Sequence, residues 1–287
     1  MRLAFLGTPE VAAGTLRALF GAGHDIRLVV TRPDKRRGRG PATGPSPVKL
    51  AAGALGLPVA HSPADVIGSG AELGVVVAYG RLIRPEVLAG VPMVNVHFSL
   101  LPRWRGAAPV ERAVLAGDRE TGVCIMALEE GLDTGPLYGC TVTAIGPEET
   151  ADELRLRLGQ MGDELLLGLL ERGLGTPVPQ CGEPTYATKI EARELHLDFS
   201  QAAAQCQRVT RAGRAWTTWK GKRLLVHRAR LVPGPVSLAP GEMAGTTVGT
   251  ADGALQLVLV QPEGRSPMDA EAWARGARSV PGDHLGT

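Results

Sequence analysis

A chain of 287 residues is long enough for two domains of roughly 100–200 residues each. With 44% hydrophobic and 21% charged residues it has the composition of a globular protein, which excludes a disordered or collagen-like chain. The net charge of +2 is too small to identify a polyanion-binding protein by itself. No apolar run approaches the roughly 18 residues of a membrane span. Met1–Gly7 meets Thr8-Pro9-Glu10 too soon for a secretory leader. Cys124, Cys140, Cys181 and Cys206 are scattered without a C-x-x-C pair. Neither a four-cysteine zinc site nor a disulfide framework is therefore expected, and a reducing cytoplasm fits.

In chain order, Leu3–Leu6 reads as a buried strand. Thr8 is a candidate N-cap with Pro9 at the first helical position, and the helix runs to about Phe20 before Gly21-Ala22-Gly23 ends it. Ile26–Val30, Val75–Ala78, Met93–Val96 and Val123–Leu128 are further strands. Their alternation with helices predicts a doubly wound, mostly parallel α/β sheet, whose ligand site lies past the carboxyl ends of the strands. Thr150-Ala151-Asp152-Glu153 is a capping box. Leu154, Leu158, Met161, Leu165 and Leu169 follow on one helical face, and Gly173 stops the helix. Gly175–Gln180 is rich in Pro and Gly and begins a linker. Beyond it Arg223–His227, Gly245–Val248 and Leu255–Val260 are short strands among turns, with Asp252-Gly253 a hairpin signal. The expected division is a catalytic domain at 1–178, a linker at 179–203 and a small all-β, oligonucleotide-binding-type barrel at 204–287.

Charge follows this division. Residues 204–287 carry a net +5 and residues 1–203 a net −3, and 206–230 holds eight basic residues and no acidic one. A polyanion-binding module and an ordinary solvated surface both fit that pattern. The stretch Arg32–Gly40 is also basic, and it is longer than the 2–6 residues usual for an α/β connection.

Asn95 and His97 leave a predicted strand two residues apart, so on an extended backbone a carboxamide and an imidazole share one face. Such a pair can donate to a developing oxyanion, and the imidazole can move a proton. A strand-end Asn beside a core His is the plainer alternative. Asp133 lies between glycines in Gly131-Leu132-Asp133-Thr134-Gly135, where it can approach a ligand or a His closely or simply make a turn.

Several segments are more specific. They are Phe5–Glu10, Ser46-Pro47-Val48-Lys49, Val77-Ala78-Tyr79-Gly80, the run Asn95–Pro109, and Glu130–Gly135. Together they resemble the 10-formyltetrahydrofolate-dependent formyltransferases, densely from Arg2 to about Tyr138 and more weakly to the C-terminus. Arg103-Trp104-Arg105-Gly106-Ala107-Ala108-Pro109 and the Ser46–Lys49 segment point to the branch that acts on tRNA.

The resemblance implies 10-formyltetrahydrofolate as formyl donor and the α-amino group of methionine on initiator tRNA as acceptor, for translation initiation. It implies that Asn95 and protonated His97 stabilise the oxyanion. Asp133 would keep His97 charged and help to take the proton lost by the amine, since a neighbouring carboxylate favours imidazolium. Ser99, Leu100, Leu101 and Pro102 match the folate-binding element, and Arg81, Leu82 and Ile83 would line the pteridine pocket. Arg36, Arg37 and Arg39 fall in the loop that enters the tRNA acceptor stem. Arg208, Arg211, Lys220, Lys222 and Arg223 would follow the tRNA backbone, with Trp216 and Trp219 divided between base stacking and core. No metal and no membrane are called for, and a monomeric cytoplasmic enzyme is expected.

Three features depart from the family pattern. Phe98 stands where many relatives have a small residue, Arg211–Trp216 is short and lacks a proline, and Ser62–Gly74 is terse. Formyl transfer to a small amine, hydrolysis of the donor and RNA binding without catalysis are the competing functions. The first is disfavoured by the two basic segments. The second is disfavoured by the lack of room for an N-terminal regulatory domain, and the third by the intact Asn95, His97 and Asp133.

Overall fold

The structure is a computed structural model that describes residues 1–36 and 43–286. The described chain forms two compact units. One is Met1–Pro109, Glu120–Ala144 and Arg155–Thr188; the other is Val110–Arg119, Ile145–Leu154 and Lys189 onward.

The first unit is built on a seven-stranded sheet. In chain order it carries β1 (Arg2–Gly7), α1 (Glu10–Gly21), β2 (Asp25–Val30), the two-residue ladder of β3 (Lys35–Arg36) with β4 (Thr43–Gly44), and α2 (Pro47–Ala54). There follow β5 (Val59–Ala60), β6 (Leu73–Val77), α3 (Pro85–Gly90), β7 (Met93–His97) and β8 (Arg105–Gly106). The chain then passes through α4 (Pro109–Ala116) to β9 (Glu120–Ala127), β10 (Leu137–Ala144), α5 (Ala151–Arg172) and β11 (Tyr186–Ala187). The strand order is β10-β9-β7-β6-β1-β2-β5. Strands β5, β2, β1, β6 and β7 run parallel, while β9 lies antiparallel to β7 and β10 antiparallel to β9. The sheet is therefore mostly parallel with an antiparallel edge.

Burial explains the parallel centre. Residues Leu3–Leu6 are wholly inaccessible, as are Val75 and Val77, because helices cover both faces of such strands. Ala4, Leu6, Val30, Val76, Tyr79, Ile83 and Met93 form one continuous cluster. Gly74 is needed where β6 meets β7, since a Cβ there would come within 2.7 Å of Met93 Cγ.

Several local features differ from the sequence-based expectation. Pro9, not Thr8, occupies the N-cap of α1; it provides no side-chain cap, and the Thr8 hydroxyl donates to the Tyr79 carbonyl at 3.4 Å. Along α5, Leu154, Leu158 and Leu169 are buried as expected, but Leu166 and Leu170 join them while Met161 and Leu165 are half-buried. The Thr150–Glu153 capping box is present, with Glu153 N donating to the Thr150 hydroxyl at 3.2 Å and Thr150 N to Glu153 Oε2 at 2.9 Å. The terse 62–74 segment holds one turn of 3-10 helix, Pro63–Val66.

The cysteine expectation needs correction. Cys124 on β9 and Cys140 on β10 are directly opposite in the antiparallel register, with Cα atoms 4.1 Å apart, and form a disulfide. Cross-strand pairing brings together residues that the linear spacing leaves looking unrelated.

A half-buried carboxyl lies on α5. Burial pushes Asp163 up to about 6, partly offset by the Thr15 hydroxyl, and its Oδ1 has no hydrogen-bond partner. A carboxyl group raised in the fold favours folding fully below its unfolded value near 3.8 and loses that advantage as pH rises through about 6. Asp163→Asn should therefore gain stability relative to the parent chain between pH 4 and pH 7. After allowance for solvent screening the gain is roughly 1–2 kcal/mol, or a few °C in melting temperature. Paired thermal melts at the two pH values check this, and a difference independent of pH would refute it.

The second unit has α6 (Ala203–Ala212), β12 (Ala215–Trp219), β13 (Lys222–Leu231), β14 (Met243–Ala244), β15 (Thr247–Gly249), β16 (Ala254–Pro262), β17 (Met268–Asp269) and α7 (Ala270–Ala277). Its antiparallel sheet runs β12-β13-β16-β15-β14, with β17 added on β16. The two helices accompany the expected β-structure. Leu197, Val209, Leu224, Val226, Leu257, Val260 and Trp273 fill its core. The short 211–216 region turns directly from α6 into β12 through Gly213 (φ +93°) and Arg214 (φ +56°).

Residues 179–203 are less a free linker than expected. Gln180 bonds within the first unit, β11 pairs with β8, and Leu197 N donates to the Trp216 carbonyl in the second.

Candidate active site

Strand β7 is the point where the sheet changes direction, parallel to β6 on one side and antiparallel to β9 on the other. Beyond the carboxyl ends of β6 and β7 lies a cavity of about 520 Å³, the place where open α/β sheets bind ligands. Its wall includes Val76, Ile83, Phe98, Leu128 and Leu132, with Asn95, His97 and Asp133 as polar groups. An apolar cavity with a few convergent polar groups is the usual form of a small-molecule site.

Asn95 and His97 share a face of β7, as their spacing requires. Asn95 is half-buried, and its side chain has no hydrogen-bond partner among the described residues. Its amide is left free toward the cavity. His97 is 5% exposed and held from two sides. Its Nε2 lies 2.9 Å from the Trp104 carbonyl, and its Nδ1 lies 3.6 Å from Asp133 Oδ2. A carbonyl only accepts, so Nε2 carries a proton. The second nitrogen, Nδ1, faces the Asp133 carboxylate.

Asp133 is held by its backbone as well as its side chain. It occupies the left-handed region (φ +51°), and its Oδ2 accepts from Gly106 N at 2.8 Å. Trp104, whose carbonyl meets His97, also has positive φ (+63°). Two non-glycine residues in this sparsely populated region, both touching His97, mark a locally strained site.

Arg81, Leu82 and Ile83 line the cavity. Ile83 is also part of the sheet core, whereas Leu82 is 87% exposed. Ser99, Leu100, Leu101 and Pro102 are not on the wall of this cavity. Ser99 is fully buried and donates to the Arg103 carbonyl at 2.6 Å, and Leu101 packs with Cys124 and Met126. Leu100 lies against Gly122, where a Cβ would approach Leu100 Cδ2 to 2.5 Å. Pro102 is buried, and its carbonyl accepts from Thr185 N. These four residues shape the turn that returns the Trp104 carbonyl to His97. Phe98, the atypical residue, is buried on the cavity wall itself.

The basic residues divide into two kinds. Arg211 donates to the carbonyls of Glu149 and Gly146, both at 2.8 Å, and burial lowers its guanidinium from the ordinary value. Arg208 donates to the carbonyls of Ala204 and Ala116, both at 3.2 Å. In both residues, two guanidinium nitrogens hold the chain together through these carbonyls. Lys220, Lys222 and Arg223 are exposed. Lys220 lies over the Trp219 ring at 4.7 Å and Arg223 over the Trp216 ring at 4.5 Å. Trp219 packs edge-on against Trp273 at the core, and Trp216 donates to the Ala192 carbonyl. Arg37 and Arg39 lie outside the described residues, as does the side chain of Arg36.

Comparison with known proteins identifies the fold. Residues 1–170 match the formyl transferase family and residues 189–278 the formyl transferase C-terminal domain. The chain belongs to the formyl transferase family. Among its relatives within that family is a methionyl-tRNA formyltransferase of Thermus thermophilus, 47% identical over 307 residues that cover 100% of this chain and 99% of the relative. Another is a methionyl-tRNA formyltransferase of Cereibacter sphaeroides, 44% identical over 296 residues that cover 96% of each. HypX from Aquifex aeolicus, solved in complex with tetrahydrofolic acid, shares the formyl transferase fold at a TM-score of 0.70. It is 19% identical, and the match covers 96% of this chain and 47% of that one.

Some groups that complete this formyl transferase site were not legible in the sequence. The Trp104 carbonyl and the Gly106 amide are backbone atoms within an otherwise suggestive run, and no side-chain pattern marks them. Gln180 lies 47 residues from Asp133, yet its side-chain amide donates to the Asp133 carbonyl at 2.8 Å. Among the described residues no group of three or more His, Cys, Asp or Glu is placed to hold a metal ion, and no helix is long and apolar enough to cross a membrane.

Proposed function

We propose that this chain transfers the formyl group of 10-formyltetrahydrofolate to the α-amino group of methionine carried on initiator tRNA. The observation that carries this is the convergence of Asn95, His97 and Asp133 on one cavity, in a chain whose full-length relatives are named methionyl-tRNA formyltransferases. The apolar wall suits a flat heteroaromatic ring, and the polar groups sit together where a reacting carbonyl would be placed. The donor supplies the formyl carbon, and the chain supplies the rest. Asn95 donates to the carbonyl oxygen as negative charge develops there on attack by the amine. His97, fixed between the Trp104 carbonyl and Asp133, supports that charge in its protonated form in a water-poor site; a preorganised donor of this kind contributes about 3–4 kcal/mol. Asp133 helps to accept the proton released by the amine; as the oxyanion collapses, the bond from the formyl carbon to the donor nitrogen breaks, and a proton passes to that nitrogen, so that tetrahydrofolate leaves.

The test is formyl transfer from 10-formyltetrahydrofolate to charged initiator tRNA, run beside free methionine and uncharged tRNA. Transfer to the charged tRNA alone is expected. Consumption of the donor without a formylated tRNA would overturn the acceptor. Arg39→Ala should raise the KM for tRNA by about tenfold, roughly 1.4 kcal/mol of binding, and leave donor affinity within twofold. A loss of donor affinity in that variant would count against the tRNA role of the loop.

A further inference from the structure

We propose that Gln180 is a positioning residue that holds Asp133 against His97; the inference rests on the function proposed above. Gln180 lies past α5 in a Pro/Gly-rich stretch with no regular structure. A glutamine amide offers two N–H donors and two acceptor lone pairs, and here all four are used. Its Nε2 donates to the carbonyls of Asp133 and Gly135, both at 2.8 Å. Its Oε1 accepts from Arg105 Nε at 3.1 Å and from Arg105 Nη2 at 2.6 Å. The partners fix the amide orientation, since oxygen must face the guanidinium and nitrogen the carbonyls.

The bonds join the two halves of the Asp133 anchor. One half is the main chain of the 131–135 loop, where Asp133 has positive φ and needs outside support. The other is β8, where Arg105 precedes Gly106, whose amide holds the Asp133 carboxylate at 2.8 Å. Gln180 thus ties the loop that carries the carboxylate to the strand that grips it. The loop has little freedom elsewhere. A Cβ on Gly135 would sit 1.9 Å from the Ala127 carbonyl, so the chain is pressed against β9 on its other side. Gln180 itself does not line the cavity. Its influence passes through Asp133 to His97.

Gln180→Glu separates this role from a general structural one. It keeps the size and the pairing with Arg105 but replaces both N–H donors with an oxygen facing two carbonyls. Gln180→Met removes the polar contacts altogether. In both variants kcat for formyl transfer should fall about 10- to 100-fold, the scale of a misplaced catalytic group, with the donor KM within twofold. The ring ¹⁵N signals of His97, assigned through His97→Asn, should shift in both variants, while those of the other five histidines stay in place. A lower melting temperature with an unshifted His97 and an unchanged kcat would overturn the proposal, as would a loss confined to KM. Shifted His97 signals in a protein that formylates no acceptor would leave the positioning role standing and overturn the function.

Discussion

His97→Ala should lower formyl transfer by about 10³-fold or more, within the range set by losing both an electrostatic donor and an acid–base group, with donor binding close to normal. Binding survives because the apolar wall and Asn95 do not depend on the imidazole. Catalysis does not, because removal of the ring leaves the Asp133 carboxylate, 13% exposed, with the Gly106 amide but no positive partner. An uncompensated buried carboxylate adds negative charge at the place where negative charge must develop, so the variant works against the reaction as well as failing to assist it. Single-turnover rates and donor dissociation constants, measured together, decide the matter. Near-normal turnover would remove His97 from the mechanism.

Gly106→Ala should be the most damaging change away from the three polar groups. Gly106 has φ +122°, which an L-residue adopts only with strain, and a Cβ there would lie 2.8 Å from the Ala187 carbonyl. Because that carbonyl is backbone in β11, it cannot rotate aside, and β8 must separate from β11. The Gly106 amide that anchors Asp133 moves with β8. The strain alone is about 1–3 kcal/mol, and displacement of the carboxylate by about 1 Å costs on the order of 10²-fold in rate. A fall in both melting temperature and kcat is expected. A variant that melts earlier but turns over normally would show that β8 can shift without carrying Asp133.

Much of the fold could be read from the chain because its parallel strands are short apolar runs between polar turns. Strand β10 escaped notice for the opposite reason. Its residues alternate between half-buried and exposed from Gly139 to Ala144, and Thr141 and Thr143 break up any apolar run. The pair of residues on β7 could be read from period-two geometry, and flanking glycines marked Asp133 as a turn or a site residue, with the resemblance supplying its role. What could not be read was the support around them. Ser99–Pro102 matches a binding motif, yet the turn folds those side chains inward and uses the backbone that follows. Arg208 and Arg211 look like members of a cationic stripe until their carbonyl partners at Ala116, Gly146 and Glu149 are seen. Charge in a sequence reveals the sign of a side chain but not whether its donors are already taken. Cys124 and Cys140 likewise become partners only through strand register.

Those arginine contacts bear on how the chain can be divided. The second unit gathers three separate stretches, and 110–119 and 145–154 reach it long before Lys189. Leu115 packs on its core, Arg112 pairs with Glu194 and Arg228 with Glu153. A fragment beginning at 189 would expose that apolar face, leave Glu194 without its guanidinium, and take from Arg208, Arg211 and Arg228 their acceptors at Ala116, Gly146, Glu149 and Glu153. The C-terminal portion is therefore no transplantable cassette. Any exchange of this portion between relatives must carry the two earlier excursions with it, so sequence change in all three stretches is constrained to proceed together.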